Sequence, residues 1–348
     1  MRHYREHLIK KGTIIKDVLR VMDKLAQDAF IFIVDENDKL LGSLTDGDVR
    51  RALIKGLDVS QPVDGIIQQN PKFLRKTALN VRDIISLREK LFKIVPILDN
   101  KDAVINVINF GIIKSYLPID VVIMAGGSGT RLRPLTDTTP KPLLKVGEKC
   151  ILEHNLDRLI HFGIDDFWIT LNYLGNQIEN YFGNGANKNY LIEYVWETIP
   201  LGTIGSVSKI KNFRHNYILV SNSDILTNID YEDFFLRFIE EDADFAVVTI
   251  PYKVDIPYAV LETTNGQVIS FKEKPSYTYF SNGGIYLMKR EIIDLIPEEK
   301  FYNATDLLEK LIESGKKIIS YPLNGYWLDI GKHDDFKKAQ EDIKHIKF

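Results

Sequence analysis

Apolar residues in the first third of the chain follow a pattern that occurs twice. The segment Phe30–Thr45 consists of two short apolar runs around a polar turn, which predicts a pair of β-strands. The pattern returns 64 positions later (residue 98 against residue 34), where Leu98-Asp99 matches Val34-Asp35. Each copy follows a stretch with apolar residues near helical spacing, roughly Ile15–Ala26 and Val81–Lys90. The sequence therefore predicts two helix–strand–strand units.

From residue 121 onward, short apolar runs alternate with amphipathic stretches. The strongest helix pattern covers Ile151–Phe162 and is closed by Gly163. Strands are predicted on both sides of it, at Val121–Met124, Phe167–Leu171, Tyr217–Val220 and Val268–Phe271. A further helix-like stretch follows Leu201-Gly-Thr. This alternation predicts a mostly parallel sheet covered by helices, with ligands at the carboxyl ends of the strands.

Length, charge and cysteine content limit the number of domains and the classes of partner that we expect. A chain of 348 residues suggests about two domains, and Pro118, in the short stretch Tyr116–Asp120, marks the predicted break between residues 1–117 and 119–348. A net charge of −3 with both signs dispersed gives no general attraction to nucleic acid or to a membrane surface. Cys150 is the single cysteine, and the first residues lack the apolar run of a signal peptide. We expect a reducing, cytoplasmic setting.

The most informative chemistry lies directly after the strand Val121–Met124. Gly126, Gly127 and Gly129 form a turn whose backbone N–H groups can point at phosphate oxygens. Arg131 and Lys141 follow while prolines still prevent regular helix, so two cations lie close to the turn. The segment predicts a loop that binds a triphosphate.

Three other interpretations apply to the same glycines. A dinucleotide fingerprint needs a third glycine where Leu132 stands and a helix that Pro134 blocks, which weighs against hydride transfer. A P-loop needs G-x-x-x-x-G-K-[ST], and no such string occurs. A turn that only joins a strand to a surface loop remains the third interpretation.

The complete string G-G-x-G-T-R-L-x-P-x-T, with K-P downstream, resembles the signature of the sugar-1-phosphate nucleotidylyltransferases. The resemblance implies an α/β fold with a Rossmann-like, mostly parallel mixed sheet, the nucleotide-diphospho-sugar transferase fold. It also implies that a sugar 1-phosphate attacks an NTP and releases pyrophosphate. Ala125 and Thr130 join the glycines in the implied nucleotide site. Arg131 would hold the departing pyrophosphate and Lys141 the α-phosphate.

Two aspartates are the predicted ligands of a magnesium ion. Asp224 follows the strand Tyr217–Val220 in Ser221-Asn-Ser-Asp224, where the family has N-G-D. Asp329 lies in Gly325-Tyr-Trp-Leu-Asp-Ile-Gly331, which resembles the family's W-x-D-I-G. Two carboxylates with triphosphate oxygens and water would give Mg²⁺ the oxygen ligands it prefers. Taken singly, either aspartate fits a surface or capping residue better than a metal ligand.

The resemblance also implies which residues bind the sugar phosphate. Phe271-Lys-Glu-Lys-Pro275 resembles the family's E-K-P, which implies that Glu273 accepts from sugar hydroxyls and that Lys274 binds the sugar phosphate. Asn282 begins a match to N-x-G-x-Y, and Tyr258 lies in a P-Y-G match with alanine for glycine.

Glu197 begins a string that ends in P-L-G-T at Gly202 and Thr203, all three in the implied nucleotide site. An ionised carboxylate only accepts hydrogen bonds, and guanine offers two adjacent donors, N1–H and N2–H₂. The observation favours GTP over UTP or dTTP, unless Glu197 lies on the surface near the cleft.

Residues 1–117 resemble a CBS-domain pair, a smaller α+β module in which Thr/Ser-x-x-Asp after the second strand holds an adenine nucleotide. Thr45 and Asp48 carry this string in the first copy, while Asn109 and Ile112 stand at the matching positions of the second. The same residues also make a good turn and helix N-cap, so a structural or dimerising module is the alternative.

Together the two resemblances imply a Mg²⁺-dependent enzyme that transfers a nucleotidyl group from an NTP, with GTP favoured, to a sugar 1-phosphate for surface-glycan synthesis. Candidate sugars are a hexosamine, a heptose or mannose. We expect a homo-oligomer with a possible adenine nucleotide in the first module, and no nucleic acid or membrane partner. The same reaction with UTP or dTTP is one alternative, and a non-catalytic subunit that senses nucleotide or NDP-sugar is another.

Overall fold

The structure is a computed structural model that describes residues 2–185 and 190–346. It divides into two compact units, one made of residues 1–118 with 159–165 and 185–191, the other of the remaining residues. The assignment of residues 1–117 as a regulatory or dimerising module stays a prediction.

The strands of the chain are, in order, β1 (Leu8–Lys10), β2 (Phe30–Val34), β3 (Leu40–Thr45), β4 (Leu74–Arg75), β5 (Ile94–Leu98), β6 (Val104–Asn109), β7 (Ile119–Met124), β8 (Lys145–Val146), β9 (Lys149–Cys150), β10 (Asp166–Leu171), β11 (Leu191–Trp196), β12 (Tyr217–Asn222), β13 (Ile225–Thr227), β14 (Phe245–Asp255), β15 (Val260–Thr264), β16 (Gln267–Lys272), β17 (Ser276–Lys289), β18 (Ile318–Pro322) and β19 (Trp327–Asp329). The helices are α1 (Ile15–Leu25), α2 (Asp46–Ile54), α3 (Val81–Glu89), α4 (Ile151–His161), α5 (Gly175–Phe182), α6 (Tyr231–Glu240), α7 (Ala304–Glu313) and α8 (His333–Asp342). None of the helices in the described residues is long and apolar enough to cross a membrane.

The N-terminal unit contains the predicted repeat as two three-stranded sheets. β1 runs parallel to β2, which pairs antiparallel with β3, and β4, β5 and β6 repeat this arrangement. Apolar residues of both copies share one core, because Phe32 and Val34 pack with Ile94 and Leu98. The second copy lacks a counterpart of α2 in the described chain, since a turn follows β6 and the Asn109 side chain accepts from Gly111 N at 2.9 Å.

The second unit is built on a seven-stranded sheet in the order β11-β10-β7-β12-β17-β14-β18. β7 pairs in parallel with both β10 and β12, and β17 is antiparallel to β12 and β14. The central strands are buried on both faces, which explains their nearly continuous apolar sequences. The predicted α/β class with a mostly parallel mixed sheet is confirmed.

Two of the differences from the sequence prediction have a clear structural cause. β7 begins at Ile119 rather than Val121, because Ile119 and Asp120 already pair with β12 opposite Tyr217 and Ile218. The helix-like stretch after Thr203 is a five-residue 3-10 helix at Gly205–Lys209 rather than a regular helix. Its Ser208 hydroxyl donates to the Gly205 carbonyl, a local bond that competes with the helical pattern.

Asp120 is a completely buried carboxylate at the start of β7. It accepts from the backbone N–H of Arg214 at 2.6 Å, from that of His215 at 2.8 Å, and contacts His215 Nδ1 at 2.9 Å. These bonds satisfy the carboxylate, and they lie at the opposite end of β7 from the glycine loop. Asp120 therefore anchors the strand and does not form part of the cleft.

Candidate active site

Three parallel strands bring their carboxyl ends to one edge of the sheet. In the ladders, Met124 at the end of β7 lies opposite Thr170 of β10 and Asn222 of β12. The loops that follow these strands therefore meet, as expected for ligand sites in open α/β sheets. They enclose a cleft of about 600 Å³ lined by the glycine loop, Lys141, Glu197 and Asp224.

The glycine loop needs its glycines for two different reasons. Gly129 has φ +61°, and a Cβ there would lie 3.1 Å from Thr136 Cγ2 and 3.2 Å from Lys141 Cβ. At Gly126 a Cβ would approach Glu197 Oε1 to 3.2 Å, inside the cleft. Gly127 has open space around it. Ala125 donates its N–H to the Thr170 carbonyl at 3.1 Å and ties the start of the loop to β10.

The cations predicted to bind phosphate differ in their surroundings. Lys141 is only 8% exposed, because Pro140 and Pro142 hold it in a short 3-10 turn against the cleft wall, and its Nζ donates to Asp224 Oδ2. Arg131 lines the same cleft from an exposed position and makes no ion pair with the described residues. Its guanidinium lies against Gly331, where a Cβ would be 3.4 Å from Arg131 Nη1.

A short ladder brings the two predicted metal ligands together. β13 directly follows Asp224 and pairs antiparallel with β19, so that Ile225 lies opposite Asp329, and Ile330 N donates to the Asp224 carbonyl at 3.0 Å. Burial and, next in size, the neighbouring Asp224 carboxylate raise the pKa of Asp329. The two aspartates are adjacent although more than a hundred residues separate them in sequence.

One oxygen of each aspartate is buried and has no hydrogen-bond partner in the described structure, namely Asp224 Oδ1 and Asp329 Oδ1. A buried carboxylate oxygen without a partner is costly unless something else satisfies it. Two such oxygens on neighbouring aspartates, near the glycine loop, are a donor set that a hard divalent cation would accept. The residues present therefore fit a bound Mg²⁺.

Glu197 lies in the cleft and not on the outer surface. Its backbone N–H donates to the Leu171 carbonyl at 2.9 Å, which places it at the end of β10. Its Oε2 accepts only a long bond from Leu201 N at 3.4 Å, and Oε1 faces Gly126. The carboxylate therefore retains acceptor capacity for a ligand in the cleft.

Gly202 and Thr203 line this cleft, and Thr203 also lines a smaller recess of about 290 Å³. Gly202 has φ +77°, and a Cβ would come within 2.6 Å of the Tyr302 carbonyl oxygen. The Thr203 hydroxyl accepts from Ala304 N at 2.9 Å and so caps α7. Asn282 and Asp329 line the recess, together with Trp327, whose indole N–H donates to the Gly283 carbonyl.

The predicted sugar-phosphate residues are not all brought together. Asn282 lies in the recess, whereas Tyr258, Glu273 and Lys274 are exposed and line neither the cleft nor the recess. Tyr258 is 75% exposed. All three belong to the segment between β14 and β17, which extends away from the seven-stranded sheet.

The lining residues that were missed at the level of sequence include three asparagines, Asn172, Asn222 and Asn303. Asn172 and Asn222 come at or just after the carboxyl ends of β10 and β12, so the strand-end rule that selected Asp224 could have found them. Asn303 forms the capping box of α7 and accepts from Thr203 N at 3.2 Å. No string in the sequence points to its position in the recess.

In the N-terminal unit, Thr45 borders a cleft of about 950 Å³ together with Asp46, Gly47 and Lys93. Asp48 does not line this cleft, contrary to its predicted role. Its Oδ2 accepts from Thr45 N at 2.9 Å and from the Thr45 hydroxyl, and its Oδ1 accepts from Arg51 at 2.6 Å and from Gln68 at 3.0 Å. The capping box of α2 uses the carboxylate that the resemblance assigned to a ribose.

Comparison with known proteins identifies the family of the chain. The model of the nucleotidyl transferase family matches residues 120–346, so the chain belongs to the nucleotidyl transferase family. A CBS-domain model matches residues 7–55, the first copy of the N-terminal repeat.

Among its relatives, the chain is similar to a D-glycero-alpha-D-manno-heptose 1-phosphate guanylyltransferase of Aneurinibacillus thermoaerophilus, with 34% identity over 65% of this chain and 99% of that protein. It is 31% identical to a UTP--glucose-1-phosphate uridylyltransferase of Synechocystis over 65% of each chain. A solved structure of HddC from Yersinia pseudotuberculosis complexed with GMP-PN is 26% identical with a TM-score of 0.51, covering 64% of this chain and 99% of HddC.

Proposed function

We propose that this enzyme transfers the guanylyl group of GTP to a sugar 1-phosphate. The observation that carries the proposal is the cleft at the carboxyl ends of β7, β10 and β12, where the glycine loop faces Lys141 and Asp224, and the β13–β19 ladder brings Asp329 next to Asp224. The guanylyltransferase relative at 34% identity supports the same reaction, and the two-donor edge of guanine suits the carboxylate of Glu197.

The proposed reaction is one in-line substitution. An oxygen of the sugar phosphate attacks the α-phosphorus of GTP, a new P–O bond forms, and the bond between the α-phosphorus and the bridging oxygen breaks as pyrophosphate leaves. The nucleophile is already an anion, so no side chain has to remove a proton. Catalysis then rests on alignment and on stabilisation of charge.

Each cation has one part in this scheme. Lys141, buried in the cleft wall, stabilises the charge that develops on the α-phosphate oxygens, and the exposed Arg131 holds the departing pyrophosphate. Asp224 and Asp329 would hold Mg²⁺ through their unpaired oxygens, and a bound ion supplies positive charge to the phosphate groups of the reactants. The match to E-K-P supports Lys274 as the group that binds the incoming sugar phosphate, although Lys274 is exposed and lines neither the cleft nor the recess.

One assay tests the proposal. Purified enzyme is incubated with Mg²⁺ and each pairing of GTP, UTP, dTTP or ATP with the 1-phosphates of mannose, glucose, N-acetylglucosamine and heptose, and pyrophosphate release is measured. We expect kcat/KM to be highest for GTP. Pyrophosphate release that is fastest with UTP or dTTP would contradict the assignment of guanine. It would favour the reaction named for the uridylyltransferase relative.

We also propose an adenine nucleotide in the cleft of the N-terminal unit, with phosphate near Thr45 and Gly47. The CBS match over residues 7–55 and the cleft volume of about 950 Å³ support this. Titration of AMP into the full chain should give one site per chain. Ala29→Phe, which adds a ring to the wall of this cleft, should abolish that site. A second site per chain, or unchanged binding in Ala29→Phe, would refute it.

A further inference from the structure

The segment that follows β10 borders the cleft, and its backbone is anchored at three points. The Leu171 carbonyl accepts from Glu197 N at 2.9 Å, and the Asn172 carbonyl accepts from Gly175 N at 3.2 Å. The Tyr173 hydroxyl donates to two carbonyls of the loop between β7 and β8, at 3.0 and 3.2 Å. These bonds fix the backbone on both sides of Asn172.

The side chain of Asn172 has no partner in this anchored segment. Its carboxamide makes no hydrogen bond within the described residues, although the residue lines the cleft and is partly exposed there. A carboxamide on a fixed backbone offers two donors and an acceptor that are already positioned for a ligand. Thr170 lines the same cleft and its hydroxyl also has no partner, but Thr170 is only 1% exposed and that hydroxyl is enclosed by protein.

Asn172 and Glu197 both lie next to Gly126. A Cβ at Gly126 would be 3.2 Å from Glu197 Oε1 and 3.4 Å from Asn172 Cβ. Both atoms are therefore within 3.4 Å of one point, so the carboxylate and the carboxamide are close enough to contact neighbouring atoms of one ligand. The group that accepts and the group that donates are adjacent in the cleft.

Guanine keeps an unmatched acceptor when a carboxylate binds its Watson–Crick edge. A carboxylate accepts from N1–H and N2–H₂, and the carbonyl oxygen O6 stands beside N1–H on the same edge. Glu197 has no donor for O6. Lys141 and Arg131 are assigned to the phosphates, and the Tyr173 hydroxyl is already bonded to the loop. Asn172 offers the N–H that O6 requires, next to the Glu197 carboxylate.

We propose that Asn172 is a second specificity-determining residue for the base, and that its carboxamide donates to O6 of guanine while Glu197 accepts from N1–H and N2–H₂. The proposal rests on the proposed function, because it deepens the choice of GTP in that reaction. The two side chains contact different parts of one edge: Glu197 binds the donors and Asn172 binds the acceptor. Substrate analogues that change one part at a time should therefore separate the two contacts.

Two analogues of GTP test these contacts. ITP lacks the N2 amino group, and 6-thio-GTP carries sulfur, a weak acceptor, in place of O6. The wild-type enzyme should favour GTP over 6-thio-GTP by about tenfold in kcat/KM, the scale of one hydrogen bond. Asn172→Ala should lose this discrimination and keep the wild-type ratio of GTP to ITP. Glu197→Gln should lower the ratio of GTP to ITP and keep the discrimination against 6-thio-GTP.

Binding and stability distinguish contact with the base from a structural role. Asn172→Ala should raise the Kd for GTP about tenfold in calorimetry and should leave the melting temperature of the ligand-free protein unchanged, because the amide makes no bond to the described residues. The matched control is Asn216→Ala, an exposed asparagine just before β12 at the opposite end of the sheet from the cleft. It should change neither quantity. A lower melting temperature of Asn172→Ala with an unchanged Kd for GTP would refute the proposal.

Thr170→Val tests the other group at the end of β10, and it should retain the discrimination against 6-thio-GTP. If Thr170→Val loses this discrimination and Asn172→Ala keeps it, the donor is Thr170 and the assignment of Asn172 is wrong. A preference for GTP over UTP that is accompanied by equal use of GTP and 6-thio-GTP would refute the role of Asn172 and leave the proposed reaction intact. A wild-type preference for UTP or dTTP would instead refute the choice of GTP, and the role of Asn172 with it.

Discussion

Asp48 in the N-terminal unit and Asp224 in the nucleotidyl transferase unit begin from similar local positions. Each follows the end of a β-strand by two or three residues, and each was predicted to contact a ligand. Asp48 has both oxygens occupied by Thr45, Arg51 and Gln68, whereas Asp224 keeps one buried oxygen without a partner. A carboxylate whose bonds are complete supports the fold, and one with a buried vacant acceptor is available for chemistry.

The pKa values of aspartates in the two units are shifted in opposite directions. Burial alone would raise the pKa of Asp48, but the hydrogen bonds from Thr45 and the Arg51 guanidinium hold that pKa below its usual value. Burial and the Asp224 carboxylate raise the pKa of Asp329. The N-terminal unit stabilises its aspartate as an anion, whereas the cleft concentrates negative charge that a cation would relieve.

The largest expected effect is loss of the cleft aspartates. Asp224→Asn and Asp329→Asn should each lower kcat by about 10²-fold or more, the scale of removing a preorganised electrostatic group. The control is Asp157→Asn, an exposed aspartate paired with Lys149 on the surface, which should leave kcat unchanged. Near-normal pyrophosphate release in both cleft variants, or in excess EDTA, would contradict the two-aspartate site.

A smaller effect is expected for base choice. Glu197→Gln replaces one acceptor with a donor that faces guanine donors, and a mismatched buried pair costs about 1–3 kcal/mol. The ratio of kcat/KM for GTP to that for UTP should therefore fall roughly 10- to 100-fold. Glu193→Gln is the control, because Glu193 pairs with Arg214 and Asn212 outside the cleft. An unchanged ratio would remove Glu197 as the cause of any preference for GTP.

The capping residues of the N-terminal unit should affect stability and not catalysis. Thr45→Ala removes the acceptor of Asp48 N and should lower the free energy of unfolding of this unit by about 1 kcal/mol. The kcat measured without added adenine nucleotide should stay at the wild-type value. A loss of kcat comparable to that of Asp224→Asn would show that Thr45 contributes to the reaction and would weaken the contrast between the units.

The smallest expected effects are changes in melting temperature and their dependence on pH. Their signs test the contrast between Asp48 and Asp329. In EDTA at pH 7, Asp329→Asn should raise the melting temperature, because the folded state holds an ionised carboxylate with a raised pKa at a cost. Asp48→Asn should lower it, because a depressed pKa contributes stability above the unfolded pKa. The Asp329→Asn difference should vanish as the pH falls below about 4, the usual pKa of an unfolded aspartate, whereas the Asp48→Asn difference should persist until the pH falls below the depressed folded pKa of Asp48. Shifts of the same sign for both variants would contradict the opposite environments.

Much of the sheet could be predicted, because its strands carry continuous apolar runs and its helices an amphipathic period. The strands at Phe167, Tyr217 and Val268 appear within one or two residues of the predicted bounds. The glycine loop was also predictable, since a strand followed by glycines and then by prolines permits few backbone conformations. Gly129 indeed has a positive φ, and Lys141 lies in the 3-10 turn between its prolines.

The placement of the sugar-phosphate residues could not be predicted in the same way. A motif match assigns Glu273 and Lys274 a role, but their position depends on how far the β14–β17 ladder continues beyond the sheet. That length is set by pairing between strands that are distant in sequence, and local propensity does not specify it. Asn303 was missed for the same reason, because only the packing of α7 beside Thr203 brings it to the recess.

The sequence by itself determined the α/β class, the repeated N-terminal unit, the glycine loop and the identity of the cations and carboxylates that can act there. These features follow from local rules of periodicity, turn conformation and side-chain chemistry. Only the tertiary structure decided which carboxylates are free to act. The antiparallel ladder between β13 and β19 brings Asp329 to Asp224, and the bonds from Thr45, Arg51 and Gln68 occupy Asp48. Hydrogen-bond satisfaction depends on partners that folding brings together, so it cannot be read from a motif.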